Sequence, residues 1–284
     1  MGAAMKIGMN LLLWTTHLDK THRDLLHQIR SWGYDGVEIP LFSLDQIDTA
    51  WITGELKATG LAVTTVTALR PEANLVGASQ AEQHAGLEHL RRSIELTRQL
   101  GATLLCGPVY SPVGRLLGRG RTAEEWKRAV TNFQEVGRMA EANGVRVAIE
   151  PLNRFETYVL NIAEDTRALL DEVRDDSLGI LLDTFHANIE EKTLAGALRT
   201  CGRRLAHVHV SDNDRGICGS GHVAWDELFQ GLRDLRYDGW VVVESFSQSL
   251  PEIAAATAIW RPLAPSSQVY AQESLKFLRS KAAA

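Results

Sequence analysis

Thiols are scarce in this 284-residue chain: only Cys106, Cys201 and Cys218 occur, and their spacing makes neither a disulfide framework nor a CxxC zinc site. So few cysteines, in odd number, fit a reducing cytoplasm. No apolar stretch approaches the roughly 18 residues of a membrane span, and the opening MGAAMKIG has no apolar segment of the secretory type. Basic charge has no excess either. With 30 Lys and Arg against 35 Asp and Glu, the net charge of −5 leaves no overall footprint for nucleic acid. GMNLLLW after the first strand has no GxGxxG fingerprint of a dinucleotide site. Low-complexity linkers are also missing. Residues 1–4 read as an extension ahead of a natural start at Met5, and the closing KAAA reads as a frayed tail.

What the chain does have is a regular switch between strand and helix periods of apolar residues. MKIGMNL, DGVEIP, LAVTTVTA, ATLLCGP, VRVAIE, LGILLD, LAHVHV and WVVVE read as strands. Between them lie helix-like stretches such as HRDLLHQIRSW, ended by Gly33, and a long one over about Ala81 to Leu100. TAEEWKRAV starts with Thr122 as N-cap and Glu125 three residues on, a capping box. Further helices are expected from about Ala163 to Val173 and near Leu194 to Arg199, then WDELFQGLRDLR and SQVYAQESLKFLRS. This alternation predicts an α/β fold, a single (β/α)8 barrel over residues 1–284, rather than an open doubly wound sheet.

Glu150, Asp183, His209 and Glu244 each stand where one of the later strand runs stops. Taken singly, such an acid reads equally well as a helix cap or a loop charge. In a parallel barrel, however, all of them point into one bowl at the carboxyl ends of the strands. Carboxylates about 4 Å apart repel by about 4 kcal/mol at an effective dielectric near 20, so the group calls for raised pKa values or a bound cation. Oxygen and imidazole ligands without a thiolate favour Mn²⁺, with Co²⁺ or Mg²⁺ next, over structural zinc.

IEPLNRFETYVLN, LLDTFHANIEE, HVHVSDNDRG and VVVESF, together with MKIGMN, GPVYSPVG and IWRPLA, resemble segments of the ketose 3-epimerases that act on D-tagatose and D-psicose (allulose). That resemblance spans nearly the whole chain. It implies a xylose-isomerase-like barrel holding one divalent metal through Glu150, Asp183, His209 and Glu244. It further implies that Glu150 and Glu244 are the acid/base pair for inversion at C3 of a free ketose through a cis-enediolate. Glu156, His186 and Arg215 fall at its substrate-binding positions. Homodimers or homotetramers are implied as well. Two places depart from the pattern: Cys218-Gly219 replaces the usual Pro-Gly, and Asp212 stands where Glu is common.

Blander readings stand beside these. Glu156 could pair with Arg154, Arg215 could be a solvated loop charge, and His207 reads as a satisfied interior histidine. Trp14 serves either as a wall for the sugar's distal carbons or as core, and Tyr110 and Pro112 are similar cases. Cys218 is either an exposed thiol or a small buried filler. Arg115, Arg119 and Arg121 in the long fourth loop read as loop charges or subunit contacts more readily than as phosphate ligands. Rival functions are an aldose–ketose or hydroxypyruvate isomerase on the same barrel, and a non-catalytic sugar-binding barrel with a structural metal.

Overall fold

Each short apolar run folds as a strand: β1 (Lys6–Asn10), β2 (Gly36–Pro40), β3 (Ala62–Val66), β4 (Leu104–Gly107), β5 (Arg146–Ile149), β6 (Leu178–Asp183), β7 (Leu205–Val210) and β8 (Trp240–Val243). In the computed structural model, which describes residues 5–283, the strands pair in parallel in chain order and β8 closes onto β1. The predicted (β/α)8 barrel is therefore the fold. The extension read at residues 1–4 lies outside the described residues.

Helices α1 (Arg23–Trp32), α2 (Thr49–Thr59), α3 (Gln80–Gln99), α4 (Ala123–Asn143) and α5 (Ala163–Val173) follow the apolar periodicity. So do α7 (Leu194–Cys201), α8 (Trp225–Asp234) and α10 (Ser267–Ala282), the last running into the tail expected to fray. Two short helices were not predicted, α6 (Thr184–Glu190) and α9 (Pro251–Ala256). Among the described residues no helix is long and apolar enough to cross a membrane.

Strand alternation sorts the core into two layers. Ile7, Met9, Val37, Ile39, Val147, Ile149, Val241 and Val243 face outward and pack with helix residues such as Leu26, Ile29, Phe133 and Leu228. Val66, Leu104, Cys106, Ala148, Leu181 and Ala206 form a separate cluster inside the barrel. β7 changes parity on the way. Ile180 pairs with Leu205 but Leu181 pairs with His207, so Ala206 is unmatched. Past that irregularity, His207 and His209 both face inward, as a bulge allows. At the amino end of the barrel, the Trp240 indole lies over Gly8 and Gly36. A Cβ at Gly36 would stand 2.5 Å from both Trp240 Cη2 and the Ala62 carbonyl oxygen.

The arginines of the fourth loop are used within the chain. Arg115 pairs with Glu82 at 3.1 Å, Arg119 with Glu125 at 2.8 Å and Arg121 with Asp165 at 2.8 Å. Glu125 is the hub of this loop. Beyond Arg119, its carboxylate accepts the Thr122 N–H at 2.7 Å in the predicted capping box and the Tyr158 hydroxyl at 2.9 Å. Those bonds, Arg119 first, lower its pKa from 4.5 to about 2 although burial opposes them. A carboxyl depressed in the folded state stabilises above its unfolded pKa and loses that contribution as pH falls through the folded value. Urea unfolding should accordingly show stability falling between pH 4.5 and pH 2 in the parent chain. Glu125→Gln should flatten that limb and lower stability by about 2 kcal/mol at neutral pH.

Candidate functional site

The side chains that end strands β5 to β8 meet. Glu150 follows β5, Asp183 ends β6, His209 sits one residue from the end of β7, and Glu244 follows β8. One ligand atom from each lies within 4.8 Å of every other, and all four residues are buried. The barrel's hydrogen-bond ladder carries them to the rim: Glu150 N–H donates to the Gly107 carbonyl at 3.1 Å and Glu244 N–H to the Val210 carbonyl at 3.0 Å. Asp183 divides its carboxylate between two tasks. Oδ1 accepts the Phe185 N–H at 2.8 Å and caps α6, which leaves Oδ2 for the cluster.

Charge balance distinguishes the members. Burial pushes the Glu150 carboxyl well above its ordinary pKa, and Glu244 and Asp183 add to the rise. Burial likewise raises Asp183, against the pull of Arg215. For Glu244 burial acts in the same sense, but His209 and Arg215 together outweigh it and hold this carboxyl below its usual range. Burial opposes a charged imidazole at His209, yet Glu244 and Glu38 outweigh it and hold His209 well above its ordinary value.

Arg215 is no solvated loop charge. Its Nη1 donates to Asp183 Oδ2 at 2.6 Å and to Glu244 Oε2 at 2.9 Å. The guanidinium also stacks on Phe185, with Cζ 4.2 Å from the ring centroid. Reaching this place puts its backbone at φ +64°, a region costly for a side-chain-bearing residue. The turn is held by the Ser245 hydroxyl, which donates to the Arg215 carbonyl at 2.8 Å.

His186 is in the same bowl, its Nε2 3.6 Å from Glu150 Oε1 and 3.8 Å from Asp183 Oδ2. Burial first, then Arg215, hold its pKa well below the ordinary value, so it is neutral. Its Nδ1 accepts the Asn153 N–H at 3.1 Å. Glu156 accepts the Asn153 side-chain amide at 2.8 Å, while Arg154 pairs with Glu190 at 2.9 Å instead. Burial raises the Glu156 pKa.

Of the other candidates, Trp14 is half-buried against Trp32 and the outer core, and Tyr110 and Pro112 are buried. Cys218 is a buried filler rather than an exposed thiol, because its loop packs on α10, where the Ser274 hydroxyl accepts the Cys218 N–H at 3.2 Å. Asp212, the other departure, ties that loop together by accepting the N–H groups of Asn213, Gly219 and Val223.

His207 is the interior histidine expected, with Nε2 2.7 Å from Glu38 Oε2. Glu38 itself is a site residue that strand reading does not flag. It is fully buried on β2, and Oε1 lies 2.7 Å from His209 Nε2. Burial would raise its pKa, but His209 and His207 together hold it well below the ordinary range, so it is ionised. An acid in the middle of the short run GVEIP, at inward parity with Gly36, is the signal that would have found it.

A divalent metal fits this donor set. Three carboxylates and one imidazole converge, and His209 Nδ1 is buried with no hydrogen-bond partner, 3.1 Å from Glu244 Oε1 but out of line for a bond. That separation matches the roughly 3 Å between adjacent ligands at about 2.1 Å from an octahedral ion. Arg215 bridges Asp183 and Glu244, and removing it leaves both acids uncompensated. Arg215→Met should therefore destabilise the metal-free protein by about 3–5 kcal/mol. Urea denaturation with and without chelator measures this, and loss below about 1 kcal/mol would mean that water already screens the acids.

Residues 26–281 match the family described as xylose isomerase-like TIM barrel. The chain is 34% identical over 275 residues to a probable ketose 3-epimerase of Synechocystis sp., covering 97% of this chain and 96% of the relative. It is also 34% identical to the ketose 3-epimerase of Arthrobacter globiformis, over 98% of this chain and 96% of that one. The crystal structure of D-allulose 3-epimerase from Methylomonas sp. in complex with D-allulose superposes with a TM-score of 0.93 at 28% identity, covering 98% of each chain.

Proposed function

We propose that this chain, which belongs to the xylose isomerase-like TIM-barrel family and within it to the ketose 3-epimerases, inverts C3 of free ketoses with one divalent metal ion. Substrates of the D-fructose/D-psicose, D-tagatose/D-sorbose or L-ribulose type fit this reading. The observation that carries it is the convergence of Glu150, Asp183, His209 and Glu244 within 4.8 Å. Those four residues would hold the ion, Mn²⁺ first and Co²⁺ or Mg²⁺ as alternatives. When bound, the ion would supply Lewis acidity worth several kcal/mol to the developing negative charge.

Inversion next to a carbonyl needs a proton removed from one face and another delivered to the opposite face, because a single base tends to return the proton where it came from. Glu150 and Glu244 arrive from β5 and β8 and supply two such groups. Their electrostatic environments differ. In the metal-free site burial and neighbouring acids favour a proton on Glu150, whereas His209 and Arg215 favour a bare carboxylate at Glu244, and a cation held by both would lower both proton affinities. In one direction Glu244 takes the C3 proton and Glu150 delivers one, and in the reverse direction they exchange tasks.

Arg215 and neutral His186 can donate to the oxygens around C1 to C3, and Glu156 can accept from a hydroxyl. Free sugars suit the mouth better than sugar phosphates, since Arg115, Arg119 and Arg121 are each engaged by an acid of this chain. A homodimer or homotetramer in the cytoplasm completes the reading.

Incubating Mn²⁺-loaded protein with a panel of ketoses in D₂O should place deuterium at C3 and yield the C3 epimer. Label at C1 or C2 of the product would identify an aldose–ketose isomerase instead, and no label with any ketose would leave a sugar-binding barrel. Glu150→Gln should lower turnover by about 10²–10⁴-fold. Activity retained by that variant on every sugar would overturn the two-glutamate mechanism.

A further inference from the structure

Beneath the bowl lies a second buried polar cluster. Glu38 accepts from five directions: Asn10 Nδ2 at 3.0 Å and His209 Nε2 at 2.7 Å on Oε1, then Thr64 Oγ1 at 2.9 Å, His207 Nε2 at 2.7 Å and Cys106 Sγ at 3.3 Å on Oε2. Barrel register explains the gathering, because Asn10 pairs with Glu38 and Glu38 pairs with Thr64 across neighbouring strands. Glu38, Cys106, His207 and His209 also have ligand atoms within 4.8 Å of one another, a donor set that zinc could use. The distances argue for hydrogen bonds instead. Both Glu38–imidazole separations are 2.7 Å, shorter than the roughly 3.3 Å between two ligands at about 2.0 Å from a tetrahedral ion.

Asn10 and Thr64 donate to the two oxygens of Glu38, so both act as acceptors and the proton in the His209–Glu38 bond sits on Nε2. The other nitrogen, Nδ1, faces Glu244 and has no hydrogen-bond partner, so it is the nitrogen whose proton a bound cation displaces. Asn10 adds a second link between the layers. Its Oδ1 accepts the Leu12 N–H at 2.9 Å, which fixes the amide's orientation. The NH₂ group is thereby turned toward the acids, donating to Glu38 Oε1 and, at 3.2 Å, to Glu244 Oε1.

We propose that Glu38 is the positioning residue of the metal centre: it holds His209 in the tautomer that presents Nδ1 as a ligand, and its negative charge makes that nitrogen a stronger donor. The inference rests on the metal-dependent reading above. Outer carboxylates of this kind typically change metal affinity by about 10–100-fold. Two substitutions grade the effect. Glu38→Gln keeps an amide oxygen for the fixed donors Asn10 and His209 while turning its NH₂ toward Thr64 and His207, whose own Nδ1 is unpartnered and free to take up the proton. It removes the charge but keeps the tautomer. Glu38→Leu removes both.

Isothermal titration of the metal-free protein with Mn²⁺ should show affinity about tenfold weaker in Glu38→Gln and about 100-fold weaker in Glu38→Leu. Thr64→Val removes a different partner of Glu38 and should stay within about threefold of the parent, well under the range for a lost outer carboxylate. In the unsubstituted chain, ¹⁵N spectra of labelled histidine titrated with Mg²⁺ should show His209 Nε2 keeping its proton while Nδ1 shifts. This readout needs no variant to fold, and loss of general barrel packing would not move it. Parent-like Mn²⁺ affinity in Glu38→Gln, an equal loss in Thr64→Val, or an Nε2 that responds to Mg²⁺ would each overturn the proposal. Failure of the parent to bind Mn²⁺, Co²⁺ or Mg²⁺ at all would instead sink the metal reading, and this inference with it.

Discussion

Compensation of buried negative charge is the constraint on which the site depends. Glu38, Glu150, Asp183 and Glu244 are all enclosed in one barrel. At about 4 Å and an effective dielectric near 20, each uncompensated pair costs about 4 kcal/mol, comparable to a large fraction of a protein's whole stability. The barrel tolerates the acids by interleaving cations among them. His209 stands between Glu38 and Glu244, and Arg215 bridges Asp183 and Glu244. In the metal-free site the same arrangement that makes the acids bearable also gives them different proton affinities.

The eight strands and the upper layer of the site were legible in the sequence for a physical reason. Inward-facing strands of a closed barrel read as short apolar runs, so a charged residue at the end of such a run stands out. Glu150, Asp183 and Glu244 are of that kind, and His209 follows from the alternation in LAHVHV. Glu38 was hidden because it interrupts a run of only five residues, where one polar residue reads as ordinary alternation on a half-exposed strand. Its partners come from β1, β3, β4 and β7, and no local spacing announces so distributed a set.

The helix α6 was illegible for the opposite reason. DTFHANIE carries site chemistry at Asp183 and His186 in place of an apolar stripe, and the carboxylate that caps the helix by accepting the Phe185 N–H also serves the cluster. Loops followed neither pattern. The arginines of the fourth loop look alike in sequence, yet each is assigned by tertiary structure to a different acid. Cys218 is likewise buried by packing on α10 rather than by anything local in ICGSG.

The Trp240 indole seated over Gly8 and Gly36 has a bearing on traffic. With an aromatic ring over two glycines at the amino end and the site residues at the carboxyl ends of the strands, a sugar would enter and depart through the same carboxyl-end mouth. Arriving and departing molecules differ in a single stereocentre and share that doorway, so each competes with the other for the same seat. Such mutual competition slows net turnover as product accumulates, while the final mixture, as with any catalyst, is set by the relative free energies of the two sugars in water.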